Sequence, residues 1–312
     1  MPAPDEPLRP VPPMTPTDEP DQPVLLTRPT PWGVRLTLNR PAKLNALSVA
    51  LVGALDDAVV AANADPRVRV IVIEGAGRAF SSGYDLTEEA EGWVGGPTQW
   101  RALLAADVAA TLRILDCPKP VIAQVHGYAL AGGLELAMAC DLIVAAEGTK
   151  LGEPEIRYGS APVTLLMPYL IGQKKTRELL FTGDLIDAVE AERIGLINRV
   201  VPAEHLAAEV DALADRLART PPEVMAPTKA MLNRAMDAAG FRLAVEAGLD
   251  LGTIGNAADT PEQREWDEIV RRDGLKAALA WRDRRYDERL AGRGERSGQG
   301  RGRGEPREPD SR

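Results

Sequence analysis

Apolar residues recur along this chain with two different periods, and segments of the two kinds alternate as far as about residue 201. The segment "VRLTLN", Val34–Asn39, alternates apolar and polar residues, the pattern of a half-buried strand. "SVALVGALDDAVVAAN", Ser48–Asn63, opens on a capping serine and keeps its apolar residues at helical spacing. "VRVIVIEG", Val68–Gly75, is a continuous β-branched run, which predicts a strand covered on both faces. A helix over Ala102–Leu115 leads through Pro118 and Pro120 to a strand over Val121–Gly127. A helix over 133–140 and a strand over Leu142–Gly148 follow. After "GLINRVV", Gly195–Val201, the strands stop and the pattern is helical to Leu290. Crossover units of this kind predict an α/β core over 24–202, with a helical region over 203–290.

The two ends break the pattern. Residues 1–23 are rich in proline and acid, and 291–312 are glycine and charge with no apolar residue beyond the first alanine. Neither buries enough surface to offset ordering entropy, so both are expected to be disordered tails. Acidic residues interrupt the arginines of the second tail, which favours a solvated segment over an RNA-binding one.

Composition narrows the classes. The 312 residues are 45% apolar, enough for one large core or two smaller ones. A net charge of −9 disfavours nonspecific binding to nucleic acid or anionic lipid. No uncharged apolar run reaches about 18 residues, so no membrane span is expected. The N-terminus lacks the apolar centre of a signal peptide. Cys117 and Cys140 stand in hydrophobic surroundings without metal-type spacing and read as buried free thiols. A soluble cytoplasmic protein is expected.

Three short segments carry candidate chemistry. In "GYALAGGLELAMACDL", Gly127–Leu142, Gly132 and Gly133 fall where a loop enters a helix, and Glu135 stands alone among small and apolar residues. The first amides of a helix have no intrahelical acceptor and stabilise an oxygen that carries negative charge. Plain close packing of helix on strand explains the glycines equally well. "GRAFSSGYDL", Gly77–Leu86, offers a second such loop at Ser81, Ser82 and Gly83, though on its own it reads as a turn. In "LGEPEIRYGSAP", Leu151–Pro162, Glu153 and Glu155 flank Pro154. In an extended segment they point to opposite sides, so one alone faces a given site. Glu155, between Pro154 and Ile156, suits an apolar pocket where a carboxyl's pKa rises and it exchanges protons. Without context, a surface loop with two solvated acids is the favoured reading.

Taken together and in order, "AFSSGYDL", "HGYALAGGLELAMACDLIVA" and "LGEPEI" resemble the crotonase (enoyl-CoA hydratase/isomerase) family. So do "LNRPAKLNAL" and "ELLFTGDLIDAVEAERIGLINRVV", and the resemblance covers about residues 25–285. It implies an α/β superhelix of strand–strand–helix repeats with a C-terminal helical trimerisation region, assembled as a homotrimer or dimer of trimers. It implies an acyl-CoA thioester substrate and no metal or organic cofactor, coenzyme A being part of the substrate. Two backbone N–H groups, by motif match those of Tyr84 and Gly132, would stabilise an enolate. The family usually has alanine at the position of Tyr84. Since the amide makes the bond, the change leaves open only where the ring points, toward the acyl or the pantetheine channel.

By the same resemblance, Lys43 and Leu44 are candidates for the nucleotide end of coenzyme A, a plain surface lysine being the alternative for Lys43. Tyr84, Asp85, Leu86 and Thr87 match the stretch lining the CoA channel. His126 matches a position with a structural hydrogen-bonding role. The family's hydratases carry two glutamates, and Glu135 and Glu155 match both, whereas double-bond isomerases generally keep only the later one. Hydration of a 2-enoyl-CoA to a 3-hydroxyacyl-CoA, a lyase reaction, is therefore expected. Enoyl-CoA isomerisation, cyclic-dienoyl-CoA hydration, and a non-catalytic acyl-CoA- or RNA-binding relative are the alternatives. The chain departs from the family after Glu155, where Ser160, Pro162, Val163 and Thr164 replace smaller, more flexible residues. That loop borders the acyl end of the pocket in the family, so altered acyl specificity, or a misaligned Glu155, is expected.

Overall fold

A computed structural model of the chain describes residues 22–28, 30–90, 96–160, 162 and 165–298, with side chains except at 89–90 and 287–298. Strand β1 (Val24–Thr27) pairs antiparallel with β2 (Gly33–Leu38). Helix α1 (Val49–Ala64) leads to β3 (Val70–Gly75), parallel to β2. Helices α2 (Leu86–Ala90) and α3 (Pro97–Asp116) lead to β4 (Val121–Val125), parallel to β3. Strand β5 (Tyr128–Leu130) steps out of this sheet, helix α4 (Gly132–Ala139) follows, and β6 (Leu142–Ala146) returns beside β4. Then come β7 (Lys150–Gly152), α5 (Met167–Ile171), α6 (Gln173–Thr182), β8 (Ile186–Asp187), α7 (Ala188–Arg193) and β9 (Arg199–Val201). The main sheet has the order β1-β2-β3-β4-β6-β9 and the small one β5-β7-β8. An isolated parallel bridge from Ser81 to Ala129 places the segment after β3 beside the small sheet. Successive turns thus set one extended segment in each sheet before a helix, which is the strand–strand–helix winding expected.

Local sequence explains these elements. The Ser48 side chain accepts from the Leu51 amide, and Leu51, Leu55, Val59 and Ala62 form the buried stripe of α1. In β3, Ile71 and Ile73 enter the main core while Val70 and Val72 pack with Leu206, Val210 and Leu213 on the opposite face. A strand covered twice has no need to alternate. Those last residues belong to α8 (Leu206–Ala218), which is followed by α9 (Pro222–Ala238) and α10 (Phe241–Asn256).

The same helix corrects the expectation for β2, whose alternation does not mark an exposed face. Arg35 is buried, ion-paired to Glu74 at 2.5 Å and to Asp211 of α8 at 2.6 Å, and donates to Gln124 at 2.8 Å. The polar residue meets polar partners from distant segments instead of water. Other boundaries shift as well. Helix α3 begins already at Pro97, and Gly195–Asn198 form turns, leaving only Arg199–Val201 as strand.

The helices after β9 do not stand apart as one region. Those up to Asn256 belong to a unit ending at Thr260, and α11 (Pro261–Asp273) with α12 (Leu275–Gly298) makes a second unit. The tilted ring contact of Trp266 with Trp281, 6.4 Å between centroids, joins the latter two helices. Helix α12 continues through Gly298, past the boundary expected at Leu290. The remainder of the two expected tails, 1–21 and 299–312, lies outside the described residues. No helix among the described residues is long and apolar enough to cross a membrane.

Helix α9 is tied to the sheet by a buried charge. Lys229 Nζ lies 2.6 Å from the Asp141 carboxylate and 3.3 Å from the carbonyls of Ile114 and Lys119. Asp141 also accepts from the Val121 amide at 2.8 Å. Burial raises the Asp141 pKa even though Lys229 works against it. Lys229→Met is expected to lower stability by about 2 kcal/mol, because it strands a carboxylate that has lost its cation. The midpoint of a urea denaturation curve, at an unchanged slope, checks this.

Candidate active site

Two loops meet at the N-terminus of α4. The first is held by Asn45, whose fully buried amide donates to the carbonyls of Ala76 (2.9 Å) and Ala79 (2.8 Å) and accepts from the Arg40 amide (2.9 Å). The Ser82 amide donates to Leu44 O at 3.0 Å, which ties the "NRPAKLNAL" loop to the "SSGYD" loop. Leu47 N donates to Gly83 O and Asp85 N to Leu47 O, which closes a parallel bridge between Leu47 and Tyr84. In that pattern the N–H of Tyr84 itself faces away from Leu47.

The second loop approaches closely from β5. Gly83 has φ +94°, and a β-carbon there would lie 2.6 Å from Ala131 Cβ and 3.5 Å from Gly132 N. Ala131, the residue before α4, adopts φ 54°, ψ −133°, a conformation that costs a residue with a side chain about 1–3 kcal/mol. It turns the chain so that Gly132 becomes the first helical residue, its amide in the turn that lacks intrahelical acceptors. The amides of Leu134 and Glu135 bond back to Ala131 O. The Tyr84 ring lies directly on Gly132, where a β-carbon would stand 2.4 Å from Cε2. The ring lines both small cavities at this place.

The carboxylates come to the same point. Glu135, in the first turn of α4, is 4% exposed, and Glu155 is 6% exposed in a 3-10 turn over Pro154–Tyr158. Both line one cavity of about 30 Å³, together with Tyr84, Trp100, Asp107, Ser160 and Pro162. That volume accommodates a water molecule or two. Ser160 and Pro162 thus border the pocket as expected, while Val163 and Thr164 lie outside the described residues.

Two further acids are buried nearby. Of the pair flanking Pro154, Glu155 lines the cavity and Glu153 is not among its lining residues. The chain enters a 3-10 turn at Pro154 instead of running extended, and Glu153 is buried at 3% exposure. Burial first, then the charges of Glu135 and Glu155, push its pKa well above the ordinary carboxyl range. Asp107 of α3 was not singled out from the sequence at all. Burial first, then the charge of Glu135, raises it to about 7. The signal was present: Trp100, Leu103, Leu104, Asp107, Val108 and Thr111 fall on one helical stripe, and one member of it is a carboxylate.

The remaining candidates are placed around this centre. Lys43 is exposed at the end of a 3-10 turn, Leu44 follows with φ 50°, and neither lines the cavity of the glutamates. The Asp85 carboxylate is held by Arg40 at 2.9 Å and accepts from the Thr87 amide at 3.2 Å, so its side chain serves the loop. Leu86 and Thr87 open α2. His126 Nε2 lies 3.0 Å from Gly77 O, a structural contact away from both cavities. Cys117 and Cys140 are free and buried, and burial raises both thiols. Among the described residues, no three His, Cys, Asp or Glu side chains are grouped to hold a metal ion.

The sequence profile of the enoyl-CoA hydratase/isomerase family matches residues 34–256. The chain belongs to that family. It is 38% identical over 210 residues to the crotonyl-CoA hydratase of Syntrophomonas wolfei, covering 64% of this chain and 78% of that protein. The crystal structure of an enoyl-CoA hydratase/isomerase from Xanthobacter autotrophicus Py2 superposes with a TM-score of 0.82 at 40% identity, over 84% of this chain and 98% of that one. An enoyl-CoA hydratase from Mycobacterium smegmatis gives 0.76 at 28% identity, over 83% and 93% of the two chains. Every candidate residue from Lys43 to Glu155 lies within the family match, and α11 and α12 lie beyond it.

Proposed function

We propose that this chain is a 2-enoyl-CoA hydratase that adds water across the double bond of the thioester to give a 3-hydroxyacyl-CoA. The observation that carries the reading is the burial of Glu135 and Glu155 in one small cavity beside Tyr84, whose ring covers Gly132. Water is a poor nucleophile, and C3 is a weak electrophile until the thioester oxygen is polarised. The N–H groups of Tyr84 and Gly132 stabilise the charge that grows on that oxygen, and each such donor contributes about 3–4 kcal/mol to the transition state. Glu135 takes a proton from water as its oxygen bonds to C3, and Glu155 delivers a proton to C2. In dehydration the two exchange roles. With the thioester oxygen held by two N–H groups and both protons handled by carboxyl groups, this reading includes no metal or organic cofactor.

Coenzyme A enters past Lys43, Leu44 and the segment Asp85–Thr87, which hydrogen bonds bind to the same loop as the Tyr84 amide. The chain assembles as a homotrimer or dimer of trimers and works in the cytoplasm. Exposed Met231 and Leu232 on α9, with Leu243, Leu251 and Ile254 on α10, support self-association, since isolated surfaces seldom leave so many large apolar side chains bare. Two buried thiols suit a reducing compartment.

Loss of the enoyl-thioester absorbance with crotonyl-CoA tests the activity. Turnover on the order of 1–10³ s⁻¹ is expected. A folded protein that leaves crotonyl-CoA and a panel of branched and cyclic enoyl-CoAs unchanged would sink the reading.

A further inference from the structure

Helix α3 turns one face toward the cavity of the glutamates, and that face is apolar at Trp100, Leu103, Leu104 and Val108. Asp107 interrupts it. The residue is 9% exposed, yet its carboxyl makes no hydrogen bond or ion pair among the described residues. It lines the cavity of Glu135 and Glu155 and also the neighbouring one at Leu47, Val49, Asp85 and Glu88. Tyr84 and Leu103 also line both. Among the described residues, no lysine or arginine lines either cavity. A buried polar group is ordinarily hydrogen-bonded, and the Asp107 carboxyl, lining the cavity without a protein partner among the described residues, can meet a polar group that enters it.

We propose that Asp107 is a specificity-determining residue that selects enoyl-CoA thioesters whose acyl group carries a hydroxyl, over plain hydrocarbon acyl groups. The inference rests on the hydratase reading for its substrate class and deepens it. With burial and the Glu135 charge both favouring its neutral form, the carboxyl offers one donor and one acceptor to a hydroxyl. A hydrocarbon chain satisfies neither. Asp107 lines both cavities, so the hydroxyl it selects lies where they adjoin, beside Tyr84 and Leu103. A site that hydrogen-bonds a substrate hydroxyl discriminates against the analogue lacking it far more strongly than an apolar pocket discriminates by size.

The test compares kcat/KM for crotonyl-CoA and 4-hydroxycrotonyl-CoA, and for hex-2-enoyl-CoA and its 6-hydroxy derivative, in the wild type, Asp107→Asn and Asp107→Leu. Calorimetric titration with the saturated pair butyryl-CoA and 4-hydroxybutyryl-CoA, and with the six-carbon pair, reads binding without turnover. The wild type should favour the hydroxylated member of at least one pair by 10-fold or more. Asp107→Asn, which keeps a donor and an acceptor, should retain the preference. Asp107→Leu should abolish it, mainly through a higher KM for the hydroxylated substrate. Turnover of both members of each pair within twofold of each other, or a preference that survives in Asp107→Leu, overturns the inference and leaves the hydratase reading standing. Tighter, Asp107-dependent binding of a hydroxylated analogue without any turnover upholds the inference and removes the hydratase reading. Equal binding without turnover removes both.

Discussion

Glu135→Ala is expected to lower kcat for crotonyl-CoA hydration by about 10²- to 10⁴-fold, the range that a positioned acid or base contributes. KM should change little, because the carboxylate acts on water and not on the thioester. Glu155→Ala should lose a similar factor. The double variant should fall well short of the product of the two losses, since a proton taken at C3 and a proton given at C2 serve one addition. The same substitution separates the reactions of the family. A double-bond isomerase that shuttles one proton through Glu155 would keep most of its activity without Glu135, whereas a hydratase would not. The measurement is the initial rate of absorbance loss for hydration, beside the rate of double-bond migration in a 3-enoyl-CoA. A Glu135→Ala protein that hydrates crotonyl-CoA at the wild-type rate would remove Glu135 from the mechanism. An independent sign that the side chain was removed cleanly comes from Asp107. The Glu135 charge is one of the two causes of its raised pKa, so in Glu135→Ala the Asp107 carboxyl should titrate below its value of about 7.

Much of this site is legible in the letters because each piece has a local cause. Gly83 follows from a positive φ and Ser48 from the orphan amide it caps. The family motifs fix the two glutamates by their order along the chain. What the letters hide is set by contacts between distant segments. Arg35 reads as the solvent-facing member of an alternating strand until α8 brings Asp211 against it, 176 residues further on. Glu153 and Glu155 read, without context, as solvated acids of a surface loop, whereas at the turn of Pro154 both are buried. Asp107 reads as an ordinary helix acid unless its place on the stripe from Trp100 to Thr111 is counted. Asn45 is the clearest case. Nothing in "KLNAL" distinguishes it, yet its buried amide holds the loop that carries Tyr84.

The contact between that loop and α4 leads to the second large effect. Gly133→Ala is expected to lower kcat by about 100-fold while the protein still folds. A β-carbon at Gly133 would lie 2.8 Å from both Cβ and O of Ser81 and 2.9 Å from its Oγ, too close for any of the three. Ser81 has no direction in which to retreat. Its amide donates to Tyr128 O at 3.0 Å, its carbonyl accepts from Leu130 N at 3.1 Å, and its hydroxyl donates to Asn45 O at 2.9 Å while accepting from Gly83 N at 3.2 Å. The strain therefore passes along the chain through Gly83 to Tyr84, or turns α4 and carries Gly132 with it. Either movement spreads the two N–H groups proposed to hold the thioester oxygen, and a displacement of about 1 Å is enough for the loss stated. Overpacking should also lower stability by about 1–3 kcal/mol, so activity is compared at a temperature where thermal melting shows both proteins folded. Gly53→Ala serves as the contrast. It lies on the exposed side of α1 with nothing within 4 Å of the new β-carbon, and it should gain about 0.5–1 kcal/mol with kcat unchanged. If Gly133→Ala turned over crotonyl-CoA like the wild type, the spacing of the Tyr84 and Gly132 amides would not be what sets the rate.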